Sequence, residues 1–117
     1  MNETVRIFHN PRCSKCRQTM DILHDKGLNT SVIEYLKTPP DITELTEILQ
    51  MLGIEPRDLM RKHEAPYKDN DLDNPELSRE QLIKTMVANP ILIERPIVIK
   101  GNKAIIGRPP EKVLEIL

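Results

Sequence analysis

The two cysteines of the chain, Cys13 and Cys16, form a Cys-x-x-Cys motif that follows a short, apolar, β-like run, Val5–Phe8. Residues 15–26 have the composition of a helix. A strand, a turn and a helix in this order place Cys13 at the first helical turn, where free backbone N–H groups and the helix dipole favour a thiolate. Because the thiolate is the reactive form of cysteine, the motif predicts redox or nucleophilic sulfur chemistry.

Three other roles for the cysteine pair compete with this interpretation. A zinc site needs two further ligands, and His9, His24 and His63 lack finger-like spacing to the pair, so no metal site is predicted. A disulfide across so short a loop restricts the unfolded chain little. Inert buried cysteines, which pack as small hydrophobic residues, remain the main alternative. The position between a strand and a helix favours a functional role.

The composition predicts an ordinary globular chain with one domain over residues 1–117. The net charge of −1 and the aromatic content of 3% provide neither broad attraction to phosphates nor many stacking surfaces, so no nucleic-acid partner is expected. No apolar run approaches the roughly 18 residues that span a bilayer. Residues 1–4 lack the pattern of a signal peptide, and reactive thiols suit a reducing compartment. We therefore expect a cytoplasmic monomer without membrane association.

Propensity and capping signals predict the elements that position the motif. The β-branched segment 30–35 indicates a second strand, parallel to the first because a helix connects them. Asp41 caps a helix that ends at Gly53. Pro56 opens a short helix, and the polar segment 65–76 is expected to be a surface loop. The apolar face of the helix after Asp41 comprises Ile42, Leu45, Ile48, Leu49 and Leu52.

The last third of the chain predicts one more helix and then a hairpin. Ser78 caps the helix, which Pro90 stops. Strands 97–99 and 104–106 flank a turn. The residues expected to be buried are Leu82, Ile83, Met86 and Val87 in the helix, and Val113, Leu114 and Leu117 in a short helix after Pro109 and Pro110. This order predicts an α/β thioredoxin-like mixed sheet (β-α-β … β-β-α) with a helical segment, about 41–89, inserted between its halves.

Nearly the whole chain resembles a known family, the thioredoxin-like arsenate reductases of the glutaredoxin-coupled type. The matching segments are His9-Asn10-Pro11-Arg12-Cys13 with Arg17, then 35–40, 59–62, 90–98 and Gly107-Arg108-Pro109. Each segment is short, but together they follow one another in order over the full length. The resemblance implies reduction of arsenate to arsenite and a role in arsenic detoxification, with no bound metal or organic cofactor.

The resemblance also implies the roles of individual residues. Cys13 attacks the arsenic, and Arg61, Arg95 and Arg108 converge on the oxyanion. Planar guanidinium groups suit tetrahedral oxyanions, and a thiolate attacks an anion only once the anion's charge is neutralised. Such arginines also lower the pKa of a cysteine. Residues expected to assist, all close to Cys13 in sequence, are Arg17 as a further oxyanion ligand, Arg12, and His9, which either tunes the thiol or is buried and hydrogen-bonded.

One departure from the family concerns Cys16, where members commonly have serine. With serine, glutathione and glutaredoxin clear the arsenylated cysteine. A thiol at this position can instead resolve the intermediate as a Cys13–Cys16 disulfide, which thioredoxin or glutaredoxin reduces. The same motif occurs in redox-sensing transcription regulators of this fold that bind RNA polymerase. That function, or general disulfide reduction, is therefore the alternative to arsenate reduction.

Thioredoxin-like folds place a cis-proline beside the active cysteine, immediately before the third strand. Pro96 has this position in the sequence, so the resemblance implies a cis bond between Arg95 and Pro96. The alternative is a trans proline that starts an edge strand.

Overall fold

The computed structural model describes residues 4–117. The chain divides into two compact units, one formed by the residues up to Thr38 with Arg95–Leu117, the other by Pro39–Glu94. The interpretation of the whole chain as a single domain stays a prediction. The prediction that the N-terminus is not a signal peptide concerns residues 1–4, of which residues 1–3 lie outside the described part of the chain.

The first unit contains a mixed four-stranded sheet in the order β2-β1-β3-β4. β1 and β2 are parallel, whereas β3 is antiparallel to both β1 and β4. The strands are β1 (Val5–Phe8), β2 (Thr30–Ile33), β3 (Ile97–Lys100) and β4 (Lys103–Ile106). The predicted fold class is confirmed. β2 ends two residues earlier than predicted because the Glu34 carbonyl accepts turn hydrogen bonds from the N–H groups of Lys37 and Thr38, at 2.9 and 3.0 Å.

The core of this unit joins the sheet to α1 (Ser14–Asp25) and to a 3₁₀ helix, Pro110–Ile116. Its fully buried members are Val5, Ile7, Leu23, Val98 and Val113. The prediction that Leu114 lies on the buried side of the last helix is wrong, since this side chain is 46% exposed. The α-helical spacing assumed there does not apply, because three residues per turn align Val113 with Ile116 instead.

The second unit is helical. Its elements are α2 (Ile42–Leu52), a 3₁₀ helix Pro56–Leu59, α3 (Ala65–Asp69), α4 (Arg79–Ala88) and a 3₁₀ helix Pro90–Leu92. Asp41 caps α2 by accepting the Glu44 N–H at 2.8 Å, and Gly53, with φ of 68°, ends it. Ser78 and Gln81 form the predicted capping box of α4.

Three details of the second unit differ from the predictions. The segment predicted to be a loop, 65–76, begins with α3, whose first turn contains Pro66 and which buries Tyr67. Val87 is only half-buried, and Ile42, at the start of the apolar face of α2, is 40% exposed. Within residues 4–117, no helix has the length and apolar character needed to cross a membrane.

Candidate active site

The register of the sheet brings four connecting segments to one end of it. Phe8 of β1 pairs with Ile33 of β2 and with Ile97 of β3. Ile97 in turn pairs with Ile106 of β4. The segments that follow β1, β2 and β4, and the one that precedes β3, therefore leave the sheet at the same end. They carry Cys13, Tyr35, Arg108 and Arg95, respectively.

Cys13 is the N-cap residue of α1, as its position in the sequence predicts. Its backbone is extended, with φ of −94° and ψ of 119°, and its N–H donates to the Asn10 carbonyl at 2.9 Å. The Cys13 sulfur accepts the backbone N–H of Cys16 at 3.4 Å. Cys13 is 7% exposed, so the sulfur at the helix start is largely buried.

The environment of Cys13 stabilises its thiolate. Burial would raise the pKa of the Cys13 thiol, but hydrogen bonds from the Cys16 side chain and backbone and from Arg95 outweigh it, so the pKa lies below the ordinary cysteine value. Cys16 responds in the opposite way. Burial, with the neighbouring Cys13, raises the pKa of Cys16 to about 12, although a backbone hydrogen bond with Asn10 opposes the shift. The thiolate is therefore favoured at Cys13, and Cys16 serves as a hydrogen-bond donor to it.

This assignment predicts the pH dependence of alkylation. A thiol with a lowered pKa gains thiolate as the pH rises towards that pKa, and its rate then levels off. We expect Cys13 to react with iodoacetamide with a midpoint below about 8.5, the value of free cysteine, while Cys16 stays unmodified at neutral pH. Peptide mapping after timed alkylation measures both rates. Equal rates at the two cysteines, or a Cys13 midpoint at or above the free value, would contradict the assignment.

Two arginines lie against Cys13. Arg108 Nη2 is 3.7 Å from Cys13 Sγ, and Arg108 Nε donates to the Arg95 carbonyl at 2.7 Å. The Arg95 side chain also hydrogen-bonds to Cys13. The peptide bond between Arg95 and Pro96 is cis, as predicted, and so is the bond between Arg108 and Pro109, which was not predicted. The guanidinium groups of Arg95 and Arg108 contact the Cys13 sulfur from two loops at the same end of the sheet.

Gly107 allows the segment after β4, which carries Arg108, to approach Pro96 closely. The Gly107 N–H donates to the Pro96 carbonyl at 2.9 Å. A Cβ at this position would lie 2.8 Å from Thr19 Oγ1 and 2.9 Å from Pro96 Cγ. Neither neighbour yields easily, because Thr19 is fully buried with its hydroxyl bonded to the Lys15 carbonyl, and the proline ring is rigid.

Gly107→Ala is therefore expected to lower the free energy of unfolding by about 1–3 kcal/mol, the usual cost of overpacking. The displaced loop should also carry Arg108 away from Cys13 and slow alkylation at neutral pH. Gly27→Ala is the matched control, because nothing lies within 4 Å of the added methyl group and only the φ of 67° is strained. Urea unfolding and alkylation measure both effects. An unchanged alkylation rate in Gly107→Ala would show that the glycine does not position Arg108.

The residues predicted to assist Cys13 lie around the same loop. Arg12 is exposed, and its backbone N–H donates to Asn10 Oδ1 at 3.0 Å. Arg17 is also exposed, and its Nη1 donates to the Pro11 carbonyl at 2.8 Å. Burial lowers the pKa of His9, aided by Arg17 and opposed by Glu34. His9 Nδ1 is buried and has no hydrogen-bond partner among residues 4–117. The tuning role of His9 and the oxyanion role of Arg17 stay predictions.

Arg61 belongs to the second unit, where carboxylates surround it. Its Nη1 donates to Glu94 Oε1 at 2.9 Å and its Nε to Glu64 Oε2 at 3.2 Å. Its side chain is 12% exposed. The Arg61 backbone is also bonded within this unit, because its N–H donates to the Leu92 carbonyl at 2.7 Å. Its contribution to an oxyanion site stays a prediction.

Sequence reasoning missed two contributors to the site. Asn10 is 8% exposed, and its backbone forms hydrogen bonds with both Cys13 and Cys16. Its side-chain oxygen accepts the Arg12 N–H. Tyr35 is fully buried and hydrogen-bonds to Arg95. Both lie in segments that match the family. Asn10 is only three residues from Cys13, whereas the register of β1 and β2 brings Tyr35 to this end of the sheet. Among the described residues, no three His, Cys, Asp or Glu side chains are grouped as metal ligands.

These features sit on a thioredoxin-like mixed sheet, and the chain belongs to the ArsC family, which it matches over residues 8–116. It is 50% identical over 118 residues to the protein of Escherichia coli K12 named "Uncharacterized protein YfgD", covering 100% of this chain and 99% of that protein. It is 48% identical over 115 residues to the arsenate reductase of Haemophilus influenzae, covering 97% and 99%. The structure of an arsenate reductase from Vibrio cholerae superposes with a TM-score of 0.97, at 46% identity and full coverage of both chains.

Proposed function

We propose that the protein is an arsenate reductase in which the Cys13 thiolate attacks arsenate. The observation that carries this proposal is the sulfur with a lowered pKa, held 3.7 Å from Arg108 Nη2 and hydrogen-bonded to Arg95. Relatives named arsenate reductase, which are more than 40% identical over nearly the whole chain, support the same substrate.

Substrate binding is assigned to the arginines. Arsenate is an anion near neutral pH, so an anionic sulfur approaches it only when cations neutralise both charges. Guanidinium forks from Arg95 and Arg108 can bond two arsenate oxygens each and still border the sulfur. The further contributions of Arg61 and Arg17 rest on the resemblance to the family.

The first chemical step is displacement at arsenic. The Cys13 sulfur forms an S–As bond, one As–O bond breaks, and the departing oxygen leaves as water after taking up protons. The arsenic remains As(V) in this step. The arginines bind the charge that develops on the remaining oxygens, which is the main way such sites lower a barrier.

The second step transfers two electrons to arsenic. A thiolate attacks the Cys13 sulfur, an S–S bond forms, and the S–As bond breaks with its electron pair moving to arsenic, which leaves as arsenite. We assign this attack to glutathione, because Cys16 is fully buried and burial raises its pKa, which disfavours the attacking thiolate. Glutaredoxin then reduces the mixed disulfide. If Cys16 attacked instead, thioredoxin or glutaredoxin would reduce the Cys13–Cys16 disulfide.

The test is NADPH oxidation that depends on arsenate in the presence of glutathione, glutaredoxin and glutathione reductase. We expect consumption that rises with both arsenate and protein, with one arsenite formed per NADPH. Consumption with a disulfide substrate but not with arsenate would favour a general disulfide reductase. Absence of both activities, with reversible oxidation of the two cysteines, would favour a redox-switch regulator.

Cys16→Ser provides a separate test of the electron donor. A serine hydroxyl can donate the same hydrogen bond to Cys13, so we expect this variant to keep most of its activity with glutathione and glutaredoxin. Any turnover supported by thioredoxin alone should be lost, because that route needs the Cys13–Cys16 disulfide. In the original protein, the Cys13–Cys16 disulfide is detected after mild oxidation as a loss of two hydrogens from the intact mass. Loss of the glutathione-dependent activity in Cys16→Ser would contradict the assignment.

The setting follows from this chemistry. A thiol enzyme that is regenerated by glutathione needs a reducing compartment, so we place the protein in the cytoplasm. We propose that it acts as a monomer with a small oxyanion substrate and a thiol protein as partners, without nucleic acid, membrane or bound metal.

A further inference from the structure

Tyr35 is held rigidly at the end of the sheet where Cys13 lies. It follows β2 in a turn that the Glu34 carbonyl closes with two backbone hydrogen bonds. Its side chain is fully buried, and its ring stacks on Phe8, with centroids 6.2 Å apart and an interplanar angle of 14°. Burial and the stacking on Phe8 restrict the ring and therefore restrict where its hydroxyl can lie.

A buried phenol oxygen needs a hydrogen-bond partner, and here the partner is a site residue. The Tyr35 oxygen accepts a hydrogen bond from the Arg95 guanidinium, which also bonds to the Cys13 sulfur. Burial alone would lower the pKa of Arg95, but its bonds to Cys13 and Tyr35 outweigh that effect and raise it. The three side chains thus form a chain from the aromatic core to the nucleophile.

We propose that Tyr35 is a positioning residue, whose hydroxyl orients the Arg95 guanidinium toward the Cys13 sulfur and so toward the bound oxyanion. The part that concerns the oxyanion rests on the proposed function, whereas the part that concerns the thiolate does not. Tyr35 has no direct part in the chemical steps and acts through Arg95.

The physical need for such a residue comes from the arginine side chain. An arginine loses much rotamer freedom when it is fixed, and a single bond to a large, polarisable sulfur defines its direction poorly. A second acceptor on a rigid ring defines that direction before substrate arrives. Without the hydroxyl, the guanidinium would be drawn toward water, which offers the lost hydrogen bond, and away from Cys13.

The chain offers a matched control, because it has two tyrosines. Tyr67 is 6% exposed, lies in the second unit and donates its hydroxyl hydrogen to Asp73 Oδ1 at 2.6 Å. Tyr35→Phe and Tyr67→Phe therefore each remove one hydroxyl from a buried, hydrogen-bonded ring. Only the first change touches Arg95.

The experiment measures alkylation of Cys13 against pH and the arsenate kinetics of both variants. For Tyr35→Phe we expect the alkylation midpoint to move to higher pH and KM for arsenate to rise about three- to tenfold, which is the loss of one hydrogen bond. Tyr67→Phe should match the original protein in both measurements. Thermal unfolding of the two variants shows whether either change disturbs the fold.

A second variant pair separates positioning from packing. In an Arg95→Met background, Tyr35→Phe should change neither the alkylation midpoint nor KM further, because the residue through which it acts is gone. Additive effects, or an unchanged midpoint in Tyr35→Phe alone, would overturn the inference. If the protein proved inactive on arsenate, the alkylation midpoints would still decide the role of Tyr35, so the two proposals fail separately.

Discussion

Cys13→Ser is expected to reduce arsenate-dependent NADPH oxidation to the background rate. A serine hydroxyl stays protonated at neutral pH and cannot form the S–As bond or the later S–S bond. The fold should be kept, because the change is nearly isosteric and serine is a favoured N-cap residue that can accept the Cys16 N–H in place of sulfur. The coupled assay and thermal unfolding measure the two outcomes on the same preparation.

Cys16→Ser is the matched control, since it removes the neighbouring thiol from the same motif. The pair of variants should therefore differ sharply with glutathione and glutaredoxin: Cys13→Ser inactive and Cys16→Ser active. Turnover by Cys13→Ser at a substantial fraction of the original rate would refute the assignment of the nucleophile. Alkylation of Cys16 shows whether an inactive Cys13→Ser variant is folded, because this buried thiol is protected from the reagent only in the folded protein.

Arg95→Lys is expected to lower kcat/KM for arsenate by roughly a hundredfold, the usual effect of removing one donor from an oxyanion site. The charge remains, but an ammonium group cannot bond Cys13, Tyr35 and an arsenate oxygen through one rigid plane. The alkylation midpoint of Cys13 should also move to higher pH, because the guanidinium contributes to lowering the pKa of that thiol.

Arg79→Lys is the control for the chemical change itself. Arg79 is exposed and bonds Glu55 Oε2 at 2.9 Å in the second unit, so its replacement should leave kcat/KM unchanged. Equal kinetics for Arg95→Lys and Arg79→Lys would remove Arg95 from the oxyanion site. A fall in activity without any change in the alkylation midpoint would limit Arg95 to substrate binding.

Much of the fold follows from local signals. The predicted bounds of β1 and α2 agree with the structure to the residue, because a short β-like run, an Asp cap and a terminal glycine each act within a few residues. The errors arise where local signals conflict. α3 was overlooked because polar residues dominate 65–76, although Pro66 at its start is a helix signal. Leu114 was misplaced because nothing local distinguishes a 3₁₀ from an α-helix in so short a segment.

The site shows a similar limit. The place of Cys13 at a helix start could be predicted, because the strand, turn and helix around it are visible in the sequence. The hydrogen bond between Tyr35 and Arg95 could not, because 60 residues separate them and only the sheet register brings their segments to one end. The ion pair between Arg61 and Glu94 could not be predicted either, because 33 residues separate the two side chains. Glu64, in contrast, lies only three residues from Arg61.

The most direct test of the central claim is the intact mass of Cys16→Ser protein after incubation with arsenate in the absence of any reductant. This variant keeps the nucleophile and cannot resolve the intermediate internally. We predict a mass increase of one HAsO₃ per chain, mapped to the peptide that contains Cys13, and its replacement by a glutathione adduct on the same residue when glutathione is added. A protein that turns over arsenate with glutathione but carries arsenic at no residue, or at a residue other than Cys13, would contradict the account.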